Sequence, residues 1–289
     1  MDTALPSISR SELASRLGRP GAPLLLDVRR RERFAASGHL LAGARYCAPE
    51  EVAALAASQP PGEAIAYCVY GHNVSEDAVR TLRAAGWDAR LLAGGFEGGE
   101  PGVDAAADVE AWRAVPLPRI RKRPDLGVAG EAASRWVTRA RPKVERVACP
   151  WLIRRFIDAR AEFHYVPAEQ VFAQARVLEA VPYDVPDAPI THAWEKGSFD
   201  ALLAAFELED PALHALATIV RAADTDRMKL APQAAGLLAI SLGLSHLNAG
   251  DDHAMLEAAM PIYDALYAWC RDASGETHRW QAHQLVVTA

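Results

Sequence analysis

The sequence predicts two domains of different class: an α/β domain with a parallel sheet covered by helices on both faces, and a mainly α-helical second domain with little sheet. In the first part of the chain, short apolar runs alternate with helical patterns about every ten to twenty residues, which is typical of parallel sheets. In the second part, helical patterns of about ten to twenty residues predominate. The length of 289 residues lets each domain bury its own core.

The domain boundaries follow from changes in composition. Residues 1–114 carry the alternating pattern and residues 135–289 the helical one. The chain around their junction is rich in proline, glycine and alanine, so we expect residues 115–134 to be an interdomain linker. We expect the short basic run Arg119–Arg123 within it to be solvated.

The composition and net charge of the chain indicate which classes of binding partner to expect. Hydrophobic residues make up 51% and charged residues 24% of the chain, which indicates an ordinary globular protein. The formal net charge of −6 argues against a dedicated nucleic-acid binder. The longest apolar stretch, near residues 234–244, is too short to span a membrane. We therefore expect neither nucleic acid nor a membrane as a partner.

The four cysteines give no framework for disulfides or zinc. Cys47, Cys68, Cys149 and Cys270 are scattered, and no two form a CxxC pair. The first residues contain neither a basic nor an apolar segment of the kind found in secretory signals. These features predict a cytoplasmic protein.

The elements of the first domain can be assigned in order. Ser9 and Glu12 form a plausible capping box for a first helix. The run Leu24–Val28 suits a strand buried on both faces, with Asp27 near its end. A second such strand, residues 64–68, ends at Cys68. Ligands bind at the carboxyl ends of strands in sheets of this kind, so this edge is the expected site.

Cys68 is the first candidate for chemistry. A short loop follows it, and a helix with Ser75 as the expected N-cap comes next. Unpaired N–H groups at a helix start carry partial positive charge, which can hold an anion and favour a thiolate. The alternative is a small buried hydrophobe, and we interpret Cys47 in that way.

Four motifs in residues of about 5–113 resemble those of the rhodanese family. They are Leu24–Arg29, residues 38–44 (Gly-His-Leu-Leu-Ala-Gly-Ala), Tyr67-Cys68 with Gly71, and residues 92–96 (Leu-Ala-Gly-Gly-Phe). The resemblance implies that Cys68 carries sulfur as a persulfide and needs no cofactor. It also implies an active-site loop formed by Val69, Tyr70, Gly71, His72, Asn73 and Val74, with Asp27 and Arg29 as structural or loop-positioning residues.

The loop departs from the family pattern. It is one residue longer than in most single-domain rhodaneses, like the loops of related phosphatases and arsenate reductases. Those enzymes have an arginine where this chain has Val74. Without a guanidinium in the loop to bind phosphate or arsenate in bidentate fashion, we favour sulfur chemistry. A cradle of backbone N–H groups remains, and His72 is either part of the site or a solvated loop residue.

Residues of about 135–272 resemble the C-terminal domain of the ChrB chromate-resistance family. The segments that carry the resemblance are residues 141–158, 182–186, 191–192, 198–200, 219–225 and 263–270. Members of that family accompany chromate transporters, and some are chromate-responsive regulators with a different N-terminal domain. The resemblance implies a role in the chromate response, whereas a rhodanese-like first domain argues against DNA binding.

Charged residues of the second domain are candidates for an anion or metal site. They are Lys143, Arg146, Arg154, Arg155, Asp184, His192, Glu195 and Asp224. A histidine with two carboxylates is able to bind a divalent metal, and a group of arginine and lysine side chains is able to bind chromate. Structural ion pairs and helix caps are the competing interpretation.

Two functional hypotheses result. The first is a sulfurtransferase in which a Cys68 persulfide passes sulfur from a small donor to a thiol acceptor, coupled to the ChrB-type domain in chromate resistance. The second is a non-catalytic regulatory protein whose helical domain senses chromate or a metal. Chromate reduction by the thiol is a weaker third hypothesis, because the loop has no arginine.

Overall fold

The computed structural model describes residues 5–276. The end of the expected second domain, residues 277–289, lies outside the described residues. The strands are β1 (Ser7–Ile8), β2 (Leu24–Asp27), β3 (His39–Leu41), β4 (Arg45–Tyr46), β5 (Glu63–Tyr67), β6 (Asp88–Leu92), β7 (Arg119–Arg121), β8 (Arg135–Arg139), β9 (Glu162–Val166) and β10 (Val181–Pro182).

Helices connect these strands and make up most of the second half. They are α1 (Arg10–Arg16), α2 (Arg31–Ala36), α3 (Val52–Ser58), α4 (Val74–Ala84), α5 (Ala106–Ala114), α6 (Glu145–Leu152), α7 (Val171–Leu178), α8 (Ser198–Phe206), α9 (Pro211–Asp224), α10 (Ala234–Leu247) and α11 (Asp252–Ala268). Short π-helical turns, Ile153–Ile157 and Trp269–Ala273, extend α6 and α11.

The first domain is built on a five-stranded parallel sheet with the order β1-β6-β5-β2-β4. Side chains of its central strand alternate between the two faces. Ala64 and Ala66 pack in a cluster that includes residues of α3 and α4. Ile65 and Tyr67 pack on the other face, in a cluster that continues into the second domain. The predicted α/β class, with a sheet covered on both faces, is confirmed.

The second domain is mainly helical and contains a three-stranded parallel sheet, β10-β8-β9. The prediction of a helical domain with little sheet is confirmed. Strand β8 was not predicted. Its buried centre, Trp136–Thr138, is flanked by two arginines, so the apolar run is too short to stand out in the sequence.

The expected linker is packed against both domains. Its strand β7 pairs antiparallel with β3, and Ile120 is fully buried. The Ala42 N–H donates to the Pro118 carbonyl at 2.9 Å. Part of this segment is therefore integral to the fold rather than a solvated connection, because its hydrogen bonds come from a strand about eighty residues earlier in the chain.

Phe156 joins the two halves. Its ring is 2% exposed and lies so close to Gly18 that a Cβ on that glycine would be 2.1 Å from the ring. The Phe156 carbonyl accepts the N–H of Gly43 at 2.7 Å. On its other side, the ring packs edge-on against Trp151 and Tyr267. The two domains consequently share one continuous core.

Among the helices of the described residues, none is both long and apolar enough to cross a membrane.

We expect Phe156→Ala to lower the free energy of unfolding by about 3–5 kcal/mol, because it removes a buried aromatic ring and leaves a cavity between the domains. The matched control is Phe172→Ala, whose ring is 40% exposed, with an expected loss below about 1 kcal/mol. Urea unfolding followed by circular dichroism measures both values. Equal losses in the two variants would contradict the shared core.

Candidate functional site

Cys68 follows β5 at the carboxyl edge of the parallel sheet, next to the end of β2. The residue is 7% exposed. Its Sγ accepts the Gly71 N–H and the Ser75 hydroxyl, each at 3.3 Å. In the thiol form, the S–H donates to the His72 carbonyl at 3.3 Å. Two donors are therefore aimed at the sulfur.

A second loop holds the cysteine loop in shape. The N–H of Phe96 donates to the Cys68 carbonyl and the N–H of Glu97 to the Val69 carbonyl, both at 2.9 Å. The two loops touch at Gly71, which has a φ of +89°. A Cβ at Gly71 would lie 2.9 Å from the N atom of Gly95, so a larger residue would push the loops apart.

The loop offers free backbone donors. Within residues 5–276, the N–H groups of Val69, Tyr70, His72 and Asn73 donate no hydrogen bond. They belong to the loop that surrounds Sγ and precedes α4, which begins at Val74. N–H groups in such a loop are suited to an anion or an anionic sulfur.

The prediction of Ser75 as the N-cap was wrong. Helix α4 begins at Val74, its N-cap is Asn73, and Asn73 has a φ of +23°. Because the helix starts earlier than expected, Ser75 lies inside the first turn, where its buried hydroxyl donates to Cys68. Asparagine tolerates positive φ better than most residues, which is the one local feature that favours this earlier start.

The ring of His72 contacts a carboxylate. Its Nε2 lies 3.0 Å from Oδ2 of Asp104, and that carboxylate also accepts the N–H of Glu100 at 2.7 Å. These contacts lower the pKa of Asp104, with the Glu100 N–H as the largest cause. The part of His72 that contacts Cys68 is the backbone carbonyl, so the ring serves to position the loop.

Asp27 and Arg29 form a buried ion pair beneath the loop, with Arg29 Nη2 2.6 Å from Asp27 Oδ2. The Tyr67 hydroxyl donates to the same carboxylate at 3.0 Å and accepts the Leu41 N–H. The guanidinium of Arg29 lies 4.2 Å from the ring centroid of Phe96. The pair therefore links the ends of β2 and β5 to the second loop.

Positive charge at the mouth of the site comes from another segment. A cavity of about 210 Å³ above Cys68 is also lined by the exposed Arg30 and Arg33. Both arginines belong to the connection between β2 and α2 or to that helix. Neither arginine was predicted as a site residue. Both lie close in sequence to Asp27-Val28-Arg29, which could have indicated them, but the direction of their side chains depends on how α2 packs.

Two other cysteines are poorly suited to ionise. Burial raises the pKa of Cys47 to about 11. Burial raises the pKa of Cys149 well above its usual value, and the carboxylate of Glu145 adds to this effect.

A second site in the helical domain brings together Asp184, His192 and Asp224, as the sequence suggested. His192 Nε2 lies 3.2 Å from Asp184 Oδ1 and 3.6 Å from Asp224 Oδ2. A fourth member, Glu145, was not predicted from the sequence; its Oε2 lies 2.9 Å from His192 Nε2. We call these four residues the carboxylate–histidine cluster.

Glu145 was missed because α6 begins earlier than expected. Pro150 suggested a helix start at Cys149, since proline is favoured in the first turn. In the structure Pro150 lies inside the helix, where its missing N–H leaves the Arg146 carbonyl without its helical donor. The hydroxyl of Tyr183 donates to that carbonyl at 3.3 Å. This compensation permits the extra turn that carries Glu145.

Three other candidates of the second domain, Arg154, Arg155 and Glu195, lie in separate ion pairs. Arg155 binds Asp264 through two hydrogen bonds of 2.8 Å, and Arg154 lies 2.5 Å from Glu257. Glu195 is 84% exposed at its side chain and lies 3.7 Å from Arg227. Of the basic candidates, Arg146 reaches the cluster, with its Nε 3.5 Å from Asp184 Oδ2.

The charges of the cluster shift two pKa values. Hydrogen bonds to Asp184 and Glu145 raise the pKa of His192 from 6.5 to about 10. Burial, followed by the negative charges of Glu145 and Asp184, raises the pKa of Asp224 to about 6. At neutral pH the cluster thus holds a protonated imidazole among carboxylates.

Two parts of the chain match known family models. Residues 9–100 match the family model of the rhodanese-like domain, and residues 136–270 match that of the ChrB C-terminal domain. The chain joins a rhodanese-like domain to a ChrB C-terminal domain. It is 34% identical over 151 residues to the protein ChrB of Cupriavidus metallidurans, and the match covers 49% of this chain and 45% of that protein. The chain thus spans less than half the length of this relative.

Several solved structures are similar to part of the chain. The rhodanese-like domain of the Anabaena sp. Alr3790 protein is 27% identical, with a TM-score of 0.30; the match covers 40% of this chain and 79% of that structure. The thiosulfate sulfurtransferase of Pseudomonas aeruginosa is 22% identical, with coverages of 41% and 20% and a TM-score of 0.30. The As-Sb reductase of Leishmania major is 17% identical, with coverages of 42% and 88% and the same score.

We expect the ChrB C-terminal domain to lose stability as pH rises. The pKa of His192 is higher in the folded chain, about 10, than its ordinary value of 6.5. Its stabilising contribution is therefore complete below pH 6.5 and is lost as pH rises toward 10. In EDTA, the difference in urea midpoint between the wild type and His192→Gln should shrink across this range.

The control for this experiment is His214→Gln. The ring of His214 lies 3.7 Å from the exposed carboxylate of Glu209 alone, a surface pair that contributes little. Its difference from the wild type should stay small and constant. A His192→Gln difference that does not change with pH would contradict the assignment.

Proposed function

We propose that the chain is a chromate-resistance protein whose rhodanese-like domain carries sulfur as a persulfide on Cys68. The observation that supports sulfur transfer is the environment of Sγ, which receives the Gly71 N–H and the Ser75 hydroxyl at 3.3 Å beneath free loop N–H groups. The match of residues 136–270 to the ChrB C-terminal domain supports the link to chromate resistance.

The proposed reaction has two steps. The Cys68 thiolate attacks the outer sulfur of a donor such as thiosulfate, a new S–S bond forms at Sγ, and sulfite leaves with the electron pair of the broken bond. The terminal sulfur of the persulfide carries the negative charge and lies among the loop N–H groups. A nucleophilic acceptor, a thiolate or cyanide, then attacks that sulfur and regenerates the Cys68 thiolate.

Charge around the site favours a small anionic donor over phosphate or arsenate. Val74 occupies the loop position at which an arginine would grip a tetrahedral oxyanion from within. The guanidinium groups of Arg30 and Arg33 line the mouth of the cavity instead. Exposed charges at the mouth of the cavity attract an anion as it approaches, but they do not bind it in bidentate fashion.

We expect Cys68→Ser to abolish thiosulfate-dependent cyanolysis, since serine cannot form a persulfide. Mass spectrometry should detect one added sulfur atom on the wild type after treatment with thiosulfate and none on this variant. Cys47→Ala is the control, because Cys47 is buried with a pKa of about 11 and should leave turnover unchanged. Equal thiocyanate formation by the wild type and Cys68→Ser would refute the proposal.

We expect the double variant Arg30→Ala/Arg33→Ala to raise the KM for thiosulfate about three- to tenfold at low salt, with kcat little changed, because the two arginines attract the dianion. Arg31→Ala is the matched control. Arg31 lies between them in sequence but pairs with Glu131 at 2.8 Å, away from the cavity. The difference should diminish as ionic strength rises. A KM that is equally raised in Arg31→Ala would rule out this local effect.

A further inference from the structure

We propose that the ChrB C-terminal domain binds a divalent transition-metal ion through Glu145, Asp184, Asp224 and His192. The ligand atoms of Glu145, Asp184 and His192 all lie within 4.8 Å of one another. From His192 Nε2, the nearest oxygens of Glu145, Asp184 and Asp224 are 2.9, 3.2 and 3.6 Å away. Ligand atoms at about 2.1 Å from one tetrahedral ion are about 3.4 Å apart, so small side-chain movements, together with release of the His192 proton to solvent, would admit the ion.

The ligands come from four separate segments, and each is fixed by the fold. Glu145 begins α6, Asp184 follows β10, His192 lies in the loop before α8, and Asp224 ends α9. Acidic residues of a surface patch usually lie on one helix or loop, whereas these four ligands are brought together by the tertiary fold. An ion here would tie α6, α8 and α9 together.

The carboxylate–histidine cluster is more deeply buried than an ordinary surface ion pair. Glu145 is 0% and Asp184 5% exposed, so two carboxylates are withdrawn from water next to each other. Buried like charges are costly unless a cation or several donors compensate them. His192 is 41% exposed at its side chain and Asp224 27%, which leaves one side open for an ion and its water ligands.

A second layer of hydrogen bonds orients the carboxylates. The N–H of Ser198 donates to Glu145 Oε2 at 2.8 Å, and the Ser198 hydroxyl donates to Asp184 Oδ1 at 2.7 Å. The other Asp184 oxygen lies 3.5 Å from Arg146 Nε. Such outer contacts hold ligands in a fixed direction in metal sites.

The donor set identifies the class of ion. Three carboxylates and one imidazole, with no thiolate, suit Mn²⁺, Fe²⁺ or Zn²⁺ better than soft ions. Arg146 and Arg139 approach the cluster at Asp184 Oδ2, at 3.5 and 3.6 Å, so a dianion such as chromate would still meet the oxygens of three carboxylates at close range. A cation is therefore the ligand that this cluster selects, and the proposal is independent of sulfur chemistry at Cys68.

The test uses the full chain without a polyhistidine tag, stripped with EDTA and titrated with Mn²⁺ and Zn²⁺ by calorimetry at neutral pH. We expect one equivalent of ion to bind, and a rise in Tm of about 5–10 °C at a hundredfold excess over Kd. Asp184→Asn and His192→Ala should each weaken binding at least about tenfold. Glu195→Gln is the control, since Glu195 lies three residues from His192 but is 84% exposed and outside the cluster.

His192→Ala keeps the test decisive if Asp184→Asn fails to fold, because the imidazole is partly exposed and circular dichroism can verify the fold of the variant. The absence of saturable binding to the wild type would overturn the proposal. Unchanged affinity in His192→Ala would also overturn it, as would chromate binding that depends on His192.

Discussion

The packing of Phe156 against Gly18 is the contact on which the rest of the arrangement depends. Because Gly18 has no side chain, the ring fits where a Cβ would lie 2.1 Å from it. The ring extends from the π turn that continues α6, and the other end of α6 carries Glu145. One helix therefore anchors the rhodanese-like domain at its C-terminal end and a ligand of the carboxylate–histidine cluster at its N-terminal end. Each half relies on the other for a complete core.

The cysteine site is made mostly of backbone. Gly71 and Gly95 let two loops approach closely, and the Gly71 N–H donates to the sulfur together with the Ser75 hydroxyl. Backbone donors are held by the loops themselves and cost little to organise when negative charge develops. The buried pair of Asp27 and Arg29 supports these loops from below without touching Sγ. The loop places these donors at the sulfur although it contains no arginine.

Local features of the site were readable from the sequence, and features that depend on distant packing were not. Cys68 could be placed because a strand, a loop and a helix start are encoded within about a dozen consecutive residues. Arg33 could not, since its direction depends on the packing of α2. Glu145 could not be predicted because Pro150 is usually found in the first turn of a helix, which placed the helix start after Glu145. The hydrogen bond from Tyr183 that allows Pro150 inside the helix comes from a residue more than thirty positions away. Strand β7 was predicted to be part of a linker because its partner, β3, lies in the first domain, about eighty residues earlier in the chain.

The side chains at the two sites differ in charge, since arginines line the mouth above Cys68 and carboxylates form most of the carboxylate–histidine cluster. Arg30 and Arg33 make the mouth above Cys68 attractive to anions, whereas Glu145 and Asp184 make the cluster repel them. Under the two proposals, an anionic donor such as thiosulfate would approach the first domain and a divalent cation the second. Since α6 contacts the first domain through Phe156 and supplies Glu145 to the cluster, an ion bound there would also stabilise the surface on which the rhodanese-like domain rests.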